Sequence, residues 1–250
     1  MSYFIQEEEG VLTFTIDRPH IRNAVNDEVT EGLEQFIKKA KLPGIRFAVI
    51  TASGDQAFCS GGDLSVFHKL ITEEDAFPML DRMADVLYGI KTLPVPVIAI
   101  VNGAAVGGGC EIATACDYRL VRKGVKCGFI QGTLAITTGW GGGSYLFELL
   151  SYEKALHMLT QARTYTSDEL LKIGWATEEI EGTEDAVKFM AGMKEIHPDV
   201  HRAYKEMAIR KWRSDGLKKR VDQEVRRCSQ LWAHDAHHEA VDNFRNKRIK

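Results

Sequence analysis

The chain has 250 residues, of which 44% are hydrophobic and 27% charged, and its formal net charge is −3. This composition is typical of an ordinary globular protein that is long enough to bury a sizeable core. The small net charge gives no electrostatic basis for binding nucleic acid, and no apolar run reaches the roughly 20 residues that span a membrane, so neither kind of partner is expected.

The N-terminal part of the chain predicts a hairpin, a helix and a buried strand. The opening MSYFIQEEEG is acidic and lacks the layout of a signal peptide. Two short strands, Tyr3–Glu8 and Val11–Asp17, form the hairpin. A helix then runs from about Asn26, a suitable N-cap, to Lys39, and Ile45–Ser53 follows as a strand with few charges.

Two glycine-rich turns each lie between a strand and a predicted helix. In FCSGGDL the pair Gly61–Gly62 follows the strand at 45–53, and in VIAIVNGAAVGGGCEIATACD the run Gly107–Gly109 lies between the strand Val97–Val101 and the apolar helix Cys110–Cys116. Glycine lets the backbone approach a ligand closely, and the first N–H groups of a helix have no internal partner. N–H groups from both turns could therefore stabilise one oxyanion, although each turn taken singly could also be ordinary architecture.

Glu111 is the only ionisable side chain in the first turns of this second helix. It follows Gly108 by three residues, so it lies on the same face of the helix as the Gly108 N–H. A carboxyl group there could move protons beside an oxyanion. The alternative is a carboxylate that only caps helix N–H groups.

The rest of the chain alternates short strands with helices and then becomes entirely helical. The segment Ser65–Leu93 is mostly helical, with an interruption expected near Pro78. From Glu184 onward every pattern is helical, so we expect an α/β core over residues 1–183 and a C-terminal helical subdomain over residues 184–250. The remaining predicted elements are strands at Tyr118–Val121, Cys127–Ile130 and Trp175–Ile180, a helix at Ser144–Leu150, and helices capped by Ser151 and by Thr166, the latter with Glu169 in a capping box.

No metal site is predicted. The five cysteines have no CxxC spacing, which indicates neither disulfides nor zinc and favours a reducing cytoplasm. His234 and His238 are four residues apart, but Asp235 is too short for the role of a metalloprotease glutamate and no third ligand is evident. A third glycine cluster, Gly139–Gly143, lacks the spacing of nucleotide phosphate loops.

The motifs FCSGGDL and NGAAVGGGCEIATACDYRL together resemble the two signature segments of the enoyl-CoA hydratase/isomerase (crotonase) superfamily. The likeness continues in DRPHIRNAV, TTGWGGGSYL and FRNKRIK, and so covers nearly the whole chain in the expected order. It implies a spiral of ββα units that assembles as a homotrimer or a dimer of trimers. It also implies an acyl-CoA thioester as substrate and no separate cofactor, because coenzyme A enters as part of that substrate.

The resemblance also implies roles for individual residues. The N–H groups of Gly62 and Gly108 would form the oxyanion hole, and Glu111 would be the first catalytic carboxyl group. The second, which hydratases need, falls on Gln131, an amide that cannot exchange a proton at useful pH. The expected substrate-binding residues are Asn23, Ala24, Ser60, Gly61, Gly62, Asp63, Leu64, Gly107, Gly108, Gly139, Trp140, Phe244 and Lys247.

For two of these groups the residues alone leave an alternative open. Asn23 and Ala24, whose backbone would contact coenzyme A, could be a simple loop before a helix. Phe244 and Lys247, which would help to hold the nucleotide, could belong to an exposed basic tail.

Gln131 favours decarboxylation of a malonyl-type acyl-CoA, because loss of CO₂ generates the enolate without a base. The segment that carries Trp140 in its glycine turn is also similar to ethylmalonyl-CoA decarboxylase-type members. Isomerisation of an enoyl-CoA, in which one carboxyl group can shuttle a proton, is the closest alternative. Hydration, and acyl-CoA binding without turnover, are the others.

Overall fold

The computed structural model describes residues 1–63, 67 and 69–249, with the backbone alone at positions 245 and 247–249. Its strands form two sheets. In chain order the strands are β1 (Tyr3–Glu8), β2 (Val11–Ile16), β3 (Phe47–Ala52), β4 (Ala57–Cys59), β5 (Val97–Val101), β6 (Ala104–Val106), β7 (Tyr118–Arg122), β8 (Lys126–Gly128), β9 (Tyr165–Thr166) and β10 (Glu178–Ile180).

The larger sheet has the order β1-β2-β3-β5-β7-β10, and the smaller sheet has the order β4-β6-β8-β9. β1 and β2 are antiparallel, as are β8 and β9, and the other neighbours are parallel. β3 is followed at once by β4, β5 by β6 and β7 by β8, so the chain repeatedly steps from the larger sheet to the smaller one. This arrangement confirms the predicted α/β class and the spiral of ββα units.

The helices cover the sheets and form the C-terminal part of the chain. They are α1 (Asp27–Ala40), α2 (Glu73–Lys91), α3 (Gly108–Ala115), α4 (Gly142–Leu149), α5 (Tyr152–Gln161), α6 (Ser167–Ile173), α7 (Thr183–Lys194), α8 (Pro198–Ser214), α9 (Leu217–Trp232) and α10 (Asp235–Ile249). The caps at Asn26 and at Thr166 with Glu169 are confirmed. Ser151 precedes α5 as predicted, but its side chain makes no capping hydrogen bond.

The predicted interruption near Pro78 is wrong, because α2 continues through this residue. Proline removes one helical hydrogen bond and crowds the preceding turn. A capping box between Thr72 and Asp75 stabilises the start of the helix, and burial of its apolar face stabilises the rest. The buried side chains on that face include Leu80, Met83, Leu87 and Ile90.

Two helices that matter for the site begin earlier than predicted. α3 begins at Gly108, where the sequence predicts Cys110, and α4 begins at Gly142, where it predicts Ser144. Glycine is unfavourable inside a helix, so the pattern assigns these residues to turns. In the structure they are the first helical residues, and their N–H groups lie at the positive helix terminus.

The hydrophobic core joins the sheets to the helices around them. Phe14 of β2, Phe36 of α1, Leu87 of α2 and Val221 of α9 are all fully buried in one continuous cluster. Burial of apolar surface contributes about 25 cal/mol per Å². The same cluster therefore holds α9, which comes late in the chain, against the elements that carry the glycine turns.

Beyond β10 the described residues are helical, as predicted. α9 packs along α2 and α4, and α10 packs against a 3₁₀ turn at Gln131–Leu134. The division of the chain at residue 184 stays a prediction. None of the helices that the structure describes combines the length and the apolar character needed to cross a membrane.

Candidate active site

A cavity of about 780 Å³ lies where the two glycine turns meet α2, α9 and α10. Most of the predicted site residues line it. They are Ala24, Ser60, Gly61, Gly62, Asp63, Gly107, Gly108, Glu111, Gln131, Gly139, Trp140 and Phe244.

Asn23 does not line the cavity, and its side chain holds the neighbouring loops together. Its amide Nδ2 donates to the carbonyl oxygens of Ser53 (3.0 Å) and Ala57 (2.7 Å), and its Oδ1 accepts from the Arg18 N–H (2.8 Å). These bonds fix the loop on which Ala24 reaches the cavity. Leu64 and the side chain of Lys247 lie outside the described residues.

The two glycine turns are in direct contact. A methyl group built on Gly61 would lie 3.2 Å from the backbone nitrogen of Gly108. Gly61 has a φ of 91°, which favours glycine. Within the described residues, the N–H groups of Gly62 and Gly108 donate to no acceptor of the protein. Two such donors on adjacent turns can stabilise one oxyanion, as the sequence predicts.

Trp140 lies directly against Gly108 and is also near Gly62, where Phe67 is closer. A methyl group built on Gly108 would lie 2.2 Å from its Cζ3 atom, and one built on Gly62 would lie 3.7 Å from its Cζ2 atom. The indole occupies the space that a side chain at position 108 would need, and only 4% of its surface is exposed. The predicted oxyanion hole would therefore have an aromatic wall.

Glu111 is buried, with 3% of its surface exposed, and both of its oxygens accept hydrogen bonds. Oε2 accepts from the N–H groups of Trp140 (2.8 Å) and Gly142 (2.9 Å). Oε1 accepts from Gln131 Nε2 (2.8 Å) and, at a longer 3.5 Å, from the Gly139 N–H.

The environment of Glu111 favours its acid form. Burial, and next the negative charge of Glu224, raise the pKa of Glu111 to about 8, while the hydrogen bonds from Gly142, Trp140 and Gln131 oppose the rise. Near neutral pH the Glu111 side chain is therefore mainly a carboxylic acid, which can donate a proton.

Gln131 lies beside Glu111 but cannot share its chemistry. Its Nε2 is the donor to Glu111, and its Oε1 is buried with no partner among the described residues. Asp63, the other carboxylate in the described lining, is bound to Arg18 at 2.9 Å. Glu111 is therefore the carboxyl group of this lining that is placed to transfer a proton.

Glu224, on α9, is a residue of this site that sequence reasoning missed. Its Oε1 accepts from the Gly143 N–H (3.1 Å), and its Oε2 accepts from the N–H and the hydroxyl of Ser144 (2.7 Å each). Burial raises the pKa of Glu224. The sequence did contain a signal, because Glu224 falls on the same helical face as the buried Val221 and Cys228, where a charge needs partners.

The part of the cavity near Glu111 is mainly apolar. A methyl group built on Gly139 would lie 2.7 Å from Cys228 Sγ and 2.9 Å from Leu80 Cδ2, so both side chains close around the turn that contacts Glu111. Further apolar side chains line the cavity: Met79, Ile136 and Trp232. Such a surface suits an acyl chain and is unfavourable for an unpaired charge.

Among the described residues, no group of three or more His, Cys, Asp or Glu side chains could hold a metal ion. His237, which lies between the two histidines noted in the sequence, is buried, and its Nδ1 is 2.7 Å from the carbonyl oxygen of Leu134. This contact packs α10 against the turn that carries Gln131.

Comparison with known proteins bears on the family to which the chain is similar. The profile of the family described as enoyl-CoA hydratase/isomerase matches residues 6–250. The short-chain-enoyl-CoA hydratase of Clostridium acetobutylicum is 35% identical over 183 residues, which are 72% of this chain and 69% of that relative. The ethylmalonyl-CoA decarboxylase of Xenopus tropicalis is 28% identical over 207 residues, which are 81% of this chain and 69% of that relative.

Solved structures confirm the fold. The crystal structure of an enoyl-CoA hydratase from Bacillus halodurans superposes on this chain with a TM-score of 0.89. The superposition covers 97% of this chain and 100% of the hydratase chain. The sequence identity is 20%, so this likeness concerns the fold alone.

Proposed function

This chain belongs to the enoyl-CoA hydratase/isomerase family, and we propose that it decarboxylates a malonyl-type acyl-CoA thioester. The observation that carries this proposal is the pair formed by Glu111 and Gln131. One buried carboxyl group, whose pKa is raised by its burial, lies 2.8 Å from an amide that cannot take or give a proton. Hydration needs two proton-transferring groups, whereas decarboxylation needs one proton donor.

The oxyanion hole supports the bond-breaking step. With the thioester oxygen bound by the N–H groups of Gly62 and Gly108, the bond between Cα and the carboxylate breaks and its electron pair enters the enolate. CO₂ leaves, and no base is required. Removing one donor of this kind typically costs about 10²–10³-fold in rate.

Glu111 supplies the proton that completes the reaction. Oε1 accepts one close hydrogen bond, whereas Oε2 accepts two. Oε1 is therefore the oxygen that is better able to hold the proton. Transfer of this proton to Cα gives the acyl-CoA product and leaves a carboxylate that Trp140 and Gly142 stabilise. Water then returns the proton, so the net reaction consumes one proton and releases one CO₂.

The apolar surroundings favour the same reaction. A carboxylate that lies among Leu80, Trp140 and Cys228 loses its hydration, which is unfavourable for its charge. Neutral CO₂ does not need that hydration. The described basic residues of the lining are His20 and Arg22. Both basic residues belong to the loop that precedes α1. The side chains that close around the turn contacting Glu111 are instead the apolar Leu80 and Cys228.

Isomerisation of a 3-enoyl-CoA is the second candidate. It is favoured by the raised pKa of Glu111, because the carboxylate of such a group is basic enough to remove a proton and return it to another carbon. We further propose a cytoplasmic homo-oligomer, a trimer or a dimer of trimers, that uses no cofactor besides the coenzyme A of its substrate.

A panel of acyl-CoA thioesters tests the assignment. The purified protein is incubated with malonyl-, methylmalonyl-, ethylmalonyl-, 2-enoyl- and 3-enoyl-CoA, and the products are identified by mass spectrometry. We expect loss of CO₂ from a malonyl-type member and negligible addition of water to crotonyl-CoA. Efficient hydration of crotonyl-CoA, isomerisation alone, or calorimetric binding without turnover would each overturn the proposal.

A further inference from the structure

We propose that Glu224 is a positioning residue that keeps Glu111 in its acid form, and that Gly142 and Gly143 leave the space in which both side chains reach one helix terminus. The catalytic meaning of this inference rests on the proposed function, in which Glu111 donates a proton. The pairing itself is independent of the substrate.

The two carboxyl groups bind successive N–H groups at the start of α4. Glu111 accepts from the Gly142 N–H at 2.9 Å, and Glu224 accepts from the N–H groups of Gly143 (3.1 Å) and Ser144 (2.7 Å). These three donors are the first residues of the helix, at the positive end of its dipole. The two side chains come from α3 and α9, which are far apart in the chain, and meet here.

Gly142 and Gly143 are required for this double approach. A methyl group built on Gly142 would lie 2.3 Å from Glu111 Cγ. One built on Gly143 would lie 2.7 Å from Thr138 Oγ1 and 3.4 Å from Glu224 Oε2. Any other residue would push a carboxyl group or its hydroxyl partner away. This explains the glycines at positions 142 and 143 of a cluster that does not have the spacing of a nucleotide loop.

Both acids accept several hydrogen bonds, so burial is what distinguishes them. Glu224 accepts from two backbone N–H groups and from the hydroxyls of Ser144 and Thr138, which favour its charged form. Glu111 is the more deeply buried of the two. Glu224 therefore ionises first, and its charge opposes ionisation of Glu111, since like charges at close range resist forming together.

The other titratable groups around Glu111 are neutral near pH 7. Burial raises the pKa of the Cys110 thiol on α3, of the Tyr145 hydroxyl on α4 and of the Cys228 thiol on α9. Gln131, on the 3₁₀ turn, carries no charge. Among the described residues, the charge that acts on Glu111 at close range is therefore that of Glu224.

The variant Glu224→Gln keeps the size of the side chain and one acceptor oxygen but removes the charge. Its effect is measured in two ways, by the pH profile of kcat and by infrared titration of the Glu111 carboxyl band, identified by its loss in Glu111→Gln. We expect the midpoint of both to move toward lower pH by about one pH unit, because a neutral neighbour no longer opposes ionisation. Activity at pH 8 should then fall several-fold more than activity at pH 6.

Two controls separate charge from structure. Asp222→Asn removes a negative charge from the same helix without touching α4, and Glu224→Asp keeps the charge at position 224. Both should titrate as the parent protein does. An infrared midpoint that stays in place in Glu224→Gln would overturn the inference, as would a loss of activity that is equal at every pH.

The infrared titration still gives a result in two further cases, a variant that does not fold and a protein that decarboxylates no acyl-CoA. If Glu224→Gln does not fold, the parent protein and Glu111→Gln still decide the matter: the upper of two carboxyl titration steps must vanish with Glu111, and its persistence would refute the pairing. If no acyl-CoA is decarboxylated, the proposed function fails while the infrared titration of the pair remains interpretable.

Discussion

Two glycine-rich regions of this molecule look alike in sequence and are used in opposite ways. At the first, the N–H groups of Gly62 and Gly108 have no acceptor within the described residues. At the second, the cluster Gly139–Gly143, the N–H groups of Trp140, Gly142 and Gly143 donate to the carboxyl groups of Glu111 and Glu224. The donors of the first region are open to a ligand, whereas those of the second region are occupied by carboxyl groups of the protein itself.

The difference shows what a glycine run does and does not specify. Glycine permits close approach to the backbone, but the neighbouring side chains decide which group approaches. At the first region an indole lies directly against Gly108, and no carboxyl group of the described residues accepts from the N–H groups of the glycines. At the second, two acidic residues from separate helices reach the helix terminus. The proposed chemistry depends on keeping these two regions distinct.

Glu111→Gln removes the proton donor from the second region and should have the largest effect. We expect kcat for the true substrate to fall about 10²–10⁴-fold, the usual worth of general acid–base catalysis, with little change in KM. The amide keeps an oxygen that can accept from Trp140 and Gly142, so the fold should survive. Glu153→Gln, at an exposed site on α5, is the matched control. Turnover within tenfold of the parent enzyme would show that Glu111 does not carry the proton.

Gly108→Pro tests the first region, and Gly108→Ala provides its control. Proline is tolerated at the first position of a helix, where Gly108 lies, but it has no N–H. Both substitutions add a Cβ that meets Trp140, so the ratio of their activities isolates the lost donor. We expect Gly108→Pro to be about 10²–10³-fold slower than Gly108→Ala in kcat. Equal activities of two folded variants, checked by circular dichroism, would remove Gly108 from the oxyanion hole.

Gln131→Glu adds a carboxyl group between the two regions. Gln131 Nε2 lies 2.8 Å from Glu111 Oε1, so two acids at this distance would share a proton. We expect decarboxylation to fall several-fold and hydration of crotonyl-CoA to become detectable where the parent enzyme shows almost none. Gln131→Met, which removes the hydrogen bond without adding an acid, should show the loss without the gain. Efficient hydration by the parent enzyme would reverse the order of the proposed reactions.

The sequence predicted the first region better than the second because the first is encoded locally. Gly62 and Gly108 each lie in a short glycine motif that follows a strand, and Glu111 follows Gly108 by a single helical turn. Glu224 lies on a separate helix, α9, and comes close to Glu111 only because α9 packs against α4. No local pattern contains both acids.

Two failures in the fold have equally physical causes. The strands of the smaller sheet have two or three residues each, too few for an alternating pattern to be visible, so of these only β8 was foreseen and β4, β6 and β9 were not. Pro78 has a strong intrinsic preference against helix, but the buried face of α2 outweighs it. Local preference was a poor guide wherever tertiary packing was strong.

Phe244→Ala should have the smallest effect, because this residue lines the cavity outside both glycine regions. Phe244 comes from α10, the last element of the chain, and lines the cavity to which the glycine turns also contribute. Loss of its ring should raise KM for the acyl-CoA several-fold through lost apolar contact, while kcat, set by Glu111 and the oxyanion hole, stays nearly constant. Phe147→Ala, which removes a ring that is 40% exposed on α4, should change neither constant.

Truncation after residue 243 removes Phe244 together with Lys247, whose role stays a prediction. A larger loss of affinity on truncation than in Phe244→Ala, diminishing at high salt, would assign a charge contact to the tail. An unchanged KM in both variants would place coenzyme A away from α10.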